Sequence, residues 1–592
     1  MDTFEERLAQ LDALLEKEGL NPDALKRGSR IPARASGQTS PMSAAQRSIF
    51  LAQQLAPGDP SYNMTMTVPL PPSLDVGALA KAIDAVVRKH EILRTSFATS
   101  FEQQVSLEVT VPLRQVDAAD MSDRLAIQRA DAALPFDLSQ GPPIRASLVR
   151  HREGHDLLLS VHHVACDGAS LAYLFDDLSV AYESLRNGVD VELPAPEVQY
   201  ADFAAWESEQ LETDLGRQHL EWWRTKLAGA NSLEFSDAAA HPPPSSGASG
   251  WELRVLSVPV TRDLHRYAGT SGTTLFAVLA AVFQATVARI SGARDIVLST
   301  AASHRERPEL ERAVGVYLNT VAVRTRLEDD PPLSEIVGRV RTASAEAFAH
   351  QGVPFESVVA AVAPLRQDGE IPFCQLMLAF HDFHPARFHS SQWEEPWGTV
   401  QFIQNATAKF PVALFVTERE GRLELALEYD SRKLTAAHSG VLLDSVVGTI
   451  DALLSDPSIR LSQLRLVSDA EGMIQVQAER PRRRPVPPRD EVEVQVLSIW
   501  KTLLGRDDIG VEDGFFEVGG KSVLLFRMKA LLEEAFGRPV EVSDLFRYPR
   551  VRAIAELLGV KSNEAAPVDE AEERGRARSA AAGRRRKGAG GE

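Results

Sequence analysis

Cysteine is nearly missing from this chain: 592 residues hold only Cys166 and Cys374. Two thiols cannot build a disulfide framework or a cysteine-rich zinc module, and such sparse usage suits a reducing compartment. An excess of positive charge is also missing. Lys and Arg number 64 against 82 Asp and Glu, a formal net charge of −18, the opposite of the balance a nucleic-acid binder shows. The N-terminus, MDTFEERLAQLDALLEKEG, lacks the basic start and apolar core of a signal peptide. No uninterrupted run reaches the ~18 apolar residues of a membrane span. These absences point to a cytoplasmic protein with no nucleic-acid partner and no membrane partner.

What is present is ordinary globular material, 44% hydrophobic and 25% charged, in a chain long enough for several cores. Residues 1–20 have an amphipathic pattern with Leu8, Leu11, Leu14 and Leu15 on one helical face. A loose stretch to residue 41 completes an N-terminal linker or docking segment (1–41). From 42 to 466 strand-like and helix-like patterns mix. The Pro/Ser/Gly-rich stretch 241–250 divides this block into two α/β lobes, about 42–235 and about 250–466. Residues 467–490 are rich in Pro and Arg and read as a semi-rigid linker. A compact all-α unit is expected over 491–560, with helices in EVEVQVLSIWKTLLG, SVLLFRMKALLEEAFG and VRAIAELLG. The tail 561–592 is too poor in large apolar residues to fold.

The chemistry concentrates in SVHHVACDGAS (160–170). The apolar run DLLLSVHH (156–163) reads as a buried strand, and GASLAYLFDDLSVAYESL (168–185) has helical spacing. Neighbouring residues on a strand face opposite ways, so His162 and His163 cannot easily share a metal; one points to a cleft and the other into the fold. No HExxH or Cys–His pattern supports a metal site. Gly168 lets the backbone approach a ligand closely. The helix starting there offers N–H groups and a positive dipole end. A histidine beside such donors can handle a proton while they stabilise an oxyanion, which suits acyl transfer.

HHVACDG resembles the HHxxxDG signature of condensation domains of nonribosomal peptide synthetases, a chloramphenicol-acetyltransferase-like family. The likeness continues in order through MSAAQRSIFLAQQ (42–54), RKHEILRTSF (88–97), YADFAAW (200–206), VGVYLNTVAVR (314–324) and HQGVPFE (350–356). The last motif of the family is poorly kept in PLRQDGEIPFCQLMLAF (364–380), where Glu370 and Ile371 replace the usual Arg and Asn. The resemblance implies a two-lobed α/β fold with His163 in the tunnel, handling the attacking amine. It makes His162 structural and Gly168 the residue that keeps the tunnel open. Asp167 then pairs with an arginine, for which Arg305 in SHRERPELE is the candidate.

VGGKS near the other end lacks the spacing of a phosphate-binding loop, because Phe515 stands where glycine is needed. DGFFEVGGKSVLL (513–525) instead resembles the core of peptidyl carrier domains, which implies 4'-phosphopantetheine on Ser522. Together the resemblances imply a condensation enzyme. An upstream carrier protein or synthetase delivers a donor thioester, and the acceptor amine is held on the chain's own carrier domain. A phosphopantetheinyl transferase attaches the arm, a stand-alone adenylation enzyme loads it in trans, and a downstream release or elongation enzyme takes the product. Ester formation, or a free acyltransferase using acyl-CoA, is the alternative on the same site.

Overall fold

The computed structural model describes residues 30–559 except 35–38, 56–57, 231–232, 236–248, 363–371, 381–399, 404–406, 468–473, 477–484, 516–517, 519, 521, 541–543 and 546–547. The expected N-terminal helix over 1–20, the tail 561–592 and residues 364–371 of the last motif lie outside the described residues. The chain divides near residue 483 into two compact units.

In the first unit, the strands of the two main sheets are β1 (Asn63–Leu70), β2 (Leu113–Asp117), β3 (Ile144–His151), β4 (Gly154–His162), β5 (Ser249–Val255), β6 (Asp295–Ser303), β7 (Leu318–Arg326), β8 (Leu376–Phe380), β9 (Gln401–Ile403), β10 (Val412–Arg419) and β11 (Arg422–Asp430). The helices that matter here are α1 (Ala44–Leu55), α2 (Val76–Lys89), α3 (Gly168–Arg186), α4 (Tyr200–Leu211), α5 (Leu275–Ser291), α6 (Leu333–Ala349) and α7 (Ala436–Ser455).

The first sheet has the order β9-β1-β4-β3-β2. β4 is central, antiparallel to β1 and β3, and its successive residues are buried on both faces, so its apolar run is continuous rather than alternating. Its polar residues are paired inside: Ser160 Oγ donates to Asp131 Oδ2 at 2.7 Å and shares a hydrogen bond with Thr65. The second sheet has the order β7-β6-β8-β10-β11-β5, with β8 parallel to both neighbours. α5 lies against it with apolar residues buried on every side, as a helix inside a core requires.

The division into lobes differs from the sequence expectation in two places. Trp223, Leu227, Leu233 and Phe235, expected in the first lobe, pack in the core of the second. β9, expected in the second lobe, pairs with β1 at the edge of the first sheet. Both are crossovers between cores, which local periodicity cannot register.

Twenty-residue α7 is long and apolar enough to cross a membrane by length and composition. Its buried residues include Leu442, Leu443, Val446, Ile450 and Leu453, and Thr449 shares a 2.9 Å hydrogen bond with Thr286 of α5. Its outer face carries Asp444, paired with Arg254. This is the pattern of a core helix.

The second unit holds α8 (Glu491–Leu504), α9 (Ser522–Phe536) and α10 (Val551–Gly559). Its core is built on Trp500 and Phe515, edge-on at 4.9 Å, with Leu525, Met528, Leu532 and Ile554 around them. Asp490 caps α8, and Arg552 of α10 pairs with Glu493 at 2.8 Å.

Candidate active site

The strand–turn–helix at 154–186 forms as the spacing predicts: β4 ends at His162 and α3 begins at Gly168. The two histidines part company at the strand end. His162 is fully buried, with Nδ1 accepting from Val164 N and Nε2 donating to Gln53 Oε1 at 3.2 Å, so both ring nitrogens are committed. Burial pushes its pKa down to about 3, with further lowering by His163, Lys409 and Arg145.

His163 is half-buried. Its backbone N–H donates to Tyr62 O at 2.8 Å. Nδ1 lies 2.7 Å from Cys166 O, an acceptor only, so the proton is assigned to Nδ1. Nε2 therefore carries a lone pair and makes no hydrogen bond among the described residues. Burial first, then the Lys409 ammonium, lowers its pKa to about 4, so it is neutral at pH 7. A Cβ added to Gly168 would meet nothing within 4 Å, so the turn leaves open space at this position.

Asp167 is buried. It is the N-cap of α3, with Oδ1 accepting from Ser170 N at 2.8 Å. Oδ1 and Oδ2 receive Arg305 Nη2 at 3.1 and 3.3 Å, and Oδ2 also accepts from Tyr317 N at 3.0 Å. Arg305 Nη1 donates to the carbonyls of Leu310 and Ala313, at 2.9 and 2.6 Å. Ser170 Oγ joins the network by donating to Gly315 O and accepting from Gly315 N. The helix start is thus less of an open donor set than its sequence suggests, because Asp167 consumes the Ser170 amide and its own carbonyl takes that of Leu171.

Other motif residues brace this turn. Tyr200 OH donates to Val316 O at 2.9 Å, and a Cβ on Gly315 would stand 1.8 Å from the Tyr200 ring, so only glycine fits there. Asn319 Nδ2 holds the carbonyls of Gln351 and Val353, tying HQGVPFE to β7. His90 and Lys89 share Asp177, joining α2 to α3. Gln53, Tyr62 and Lys409 belong to the site but were not singled out by sequence. Gln53 lies within the first motif, which was a usable signal; Tyr62 and Lys409 carry no local one.

Ser522 is the first residue of fifteen-residue α9. A hydroxyl there suits a phosphodiester, because the first amides of a helix are free and its N-terminal end is positive.

Residues 36–473 match the model of the condensation domain, and residues 494–558 match that of the phosphopantetheine attachment site. The chain belongs to the condensation-domain family. A condensation domain is followed here by a carrier domain of the kind that holds covalent 4'-phosphopantetheine. Over 447 residues it is 31% identical to chondramide synthase cmdD of Chondromyces crocatus, covering 73% of this chain and 11% of that protein. Over 451 residues it is 31% identical to phosphinothricin tripeptide synthetase PhsC of Streptomyces viridochromogenes, covering 73% and 40%. The chain thus spans well under half the length of these curated relatives. Among solved structures, the condensation domain resembles the X-domain from teicoplanin biosynthesis (TM-score 0.65, 24% identity, 74% of this chain and 100% of that one). It also resembles the first condensation domain of the calcium-dependent antibiotic synthetase (TM-score 0.57, 20% identity, 73% and 100%). These likenesses establish the two-lobed α/β fold.

Proposed function

We propose that this chain forms an amide bond between an acyl or peptidyl thioester delivered by an upstream carrier and an amine held on its own carrier domain. The observation that carries this reading is the state of His163: neutral, with a free Nε2 lone pair, beside the open space at Gly168. In the reaction the neutral amine attacks the thioester carbon, a C–N bond forms and the C–S bond breaks. The amine proton leaves with the departing thiol. His163 Nε2 orients the amine and takes that proton in passing, because the nitrogen becomes strongly acidic once it has attacked. Gly168 leaves room for the reacting atoms. His162 is structural, and Asp167 with Arg305 holds the turn.

Ser522 is the attachment residue, and the arm supplies the thiol on which the acceptor is held. A phosphopantetheinyl transferase installs it. Adenylation is supplied in trans, a reading supported by the chain between the two family matches, where residues 474–493 leave no room for an adenylating domain. A downstream release or elongation enzyme consumes the product.

The test loads Ser522's arm with an aminoacyl group, offers a donor acyl-carrier, and weighs the intact protein. A mass gain equal to the donor acyl group on this chain's arm, in an alkali-stable amide, is expected. Acyl transfer from coenzyme A to a free alcohol, with no gain on the arm, would favour the ester-forming alternative instead.

A further inference from the structure

The ring of His162 helps to hold the backbone of His163. Two peptide units flank the Cα of His163. The N–H of the first, on His163 itself, donates to Tyr62 O at 2.8 Å. The N–H of the second, on Val164, donates to Nδ1 of His162 at 3.2 Å. Ala165 N closes the turn on His162 O at 2.9 Å, and Gln46 Nε2 takes Val164 O at 3.4 Å. Both peptide planes around His163 are therefore anchored, the second of them through an imidazole side chain.

An imidazole can serve Val164 in one state only. A backbone N–H donates and never accepts, so Nδ1 of His162 must carry a lone pair and the proton of the neutral ring must sit on Nε2. In the other tautomer, or in the imidazolium, two donors would meet face to face. The partner of Nε2 favours the right tautomer. That partner is Gln53 Oε1, at 3.2 Å. The same logic assigns the orientation of the amide, because its oxygen has to face the ring N–H. Gln53 is buried and His162 fully so, and bulk solvent cannot replace the amide. Phe136, edge-on at 5.7 Å, and Tyr62, tilted at 6.2 Å, hold the plane of the His162 ring. Such packing is blind to where the proton sits; the Gln53 oxygen is not. Gln53 lies on α1 two turns beyond Gln46 and on the same face, so one helix reaches the turn twice.

We propose that Gln53 is a positioning residue of the condensation reaction, which holds His162 as its Nε2–H tautomer, keeps Val164 N–H on Nδ1, and so fixes the backbone that aims Nε2 of His163. This rests on the reading that His163 Nε2 handles the acceptor amine. Gln53 touches no reacting atom; it acts through His162 and the peptide between His163 and Val164.

The test compares Gln53→Leu, close in size but without an acceptor, with Gln53→Glu, which keeps an oxygen at the same reach. In Gln53→Leu single-turnover transfer to the arm should fall by roughly 10–100-fold, the scale of a small misplacement of a reacting group. KM for the donor carrier should hold, since no ground-state contact is removed. Gln53→Glu should retain most of the rate above neutral pH. A role in packing alone predicts the reverse order, with the apolar variant tolerated and the buried carboxylate not. A second readout needs no turnover. Deuterium exchange at the Val164 amide should run about tenfold faster in Gln53→Leu, as for one weakened hydrogen bond, and stay slow in Gln53→Glu. Gln53→Asn, one methylene too short to reach the ring, stands in if the leucine variant does not fold. Wild-type transfer and wild-type exchange at Val164 in Gln53→Leu, or a glutamate variant slower than the leucine one, overturn the proposal. Failure of the wild-type protein to form any amide overturns the proposed function instead, and exchange at Val164 then decides whether Gln53 holds the turn.

Discussion

Arg305 Nη2 lies 3.1 and 3.3 Å from the two carboxylate oxygens of Asp167, and neither residue is accessible to any useful extent. The two come from turns 138 residues apart, and the ion pair joins the start of α3 to the loop after β6. Removing one partner of a buried pair costs ~3–5 kcal/mol, since the other charge is left uncompensated. Asp167→Ala and Arg305→Ala should each lower the melting temperature by several degrees. The double variant should lose less than the sum, as coupled sites do. Additive losses in this cycle would mean that the pair does not act as a unit.

Gly315 meets the Tyr200 ring more closely than any side chain tolerates. Gly315→Ala must displace Tyr200 or the 313–317 loop, at a cost of roughly 1–3 kcal/mol by analogy with overpacked cores. Because Gly315 also anchors Asp167 and Ser170, condensation should fall with stability. Thermal melts alongside turnover check this; a variant as stable as wild type would contradict the packing.

Coenzyme A with a phosphopantetheinyl transferase should add one arm of ~340 Da to the protein, a covalent modification. Ser522→Ala should abolish the gain while leaving the melting curve of the condensation domain in place. A full gain in that variant would put the attachment elsewhere.

Stability should fall with acid before the ordinary carboxylates titrate. Burial holds His162 near 3 and His163, His219 and His304 near 4. The unfolded chain protonates histidine near 6.5 and so binds more protons from there downward. The stabilisation is complete above about 6.5 and drains as pH falls toward 4. His90 and His350 are also lowered by burial, while Glu428, raised to about 7, and Glu207, raised by burial, work the other way. A fully buried histidine such as His162 contributes on the order of 1 kcal/mol by pH 5.5. Denaturant midpoints at pH 7.5 and 5.5 measure the difference; equal midpoints would contradict this assignment of charge.

The histidine turn was legible because two periodicities meet there. The apolar run of β4 and the helical spacing of α3 leave only 163–167 between them. Strand parity then separates His162 from His163, as the structure has them. The carrier helices were legible for the same reason, each being an amphipathic run with a clear end. What escaped was long-range. β9 joins a sheet whose other strands end some 240 residues earlier, and Trp223 crosses to the second core. Lys409 and Tyr62 meet only because the two lobes fold toward each other. The donors at the start of α3 were overcounted, since the side chain of Asp167 turns back on the helix it precedes.

The measurement closest to the central claim is single-turnover transfer of a donor acyl group to Ser522's arm, read by mass spectrometry in wild type and in His163→Ala. The free Nε2 of His163 predicts a ~10²–10⁴-fold loss in His163→Ala, with folding and arm attachment unchanged. Wild-type transfer rates in that variant would contradict the account.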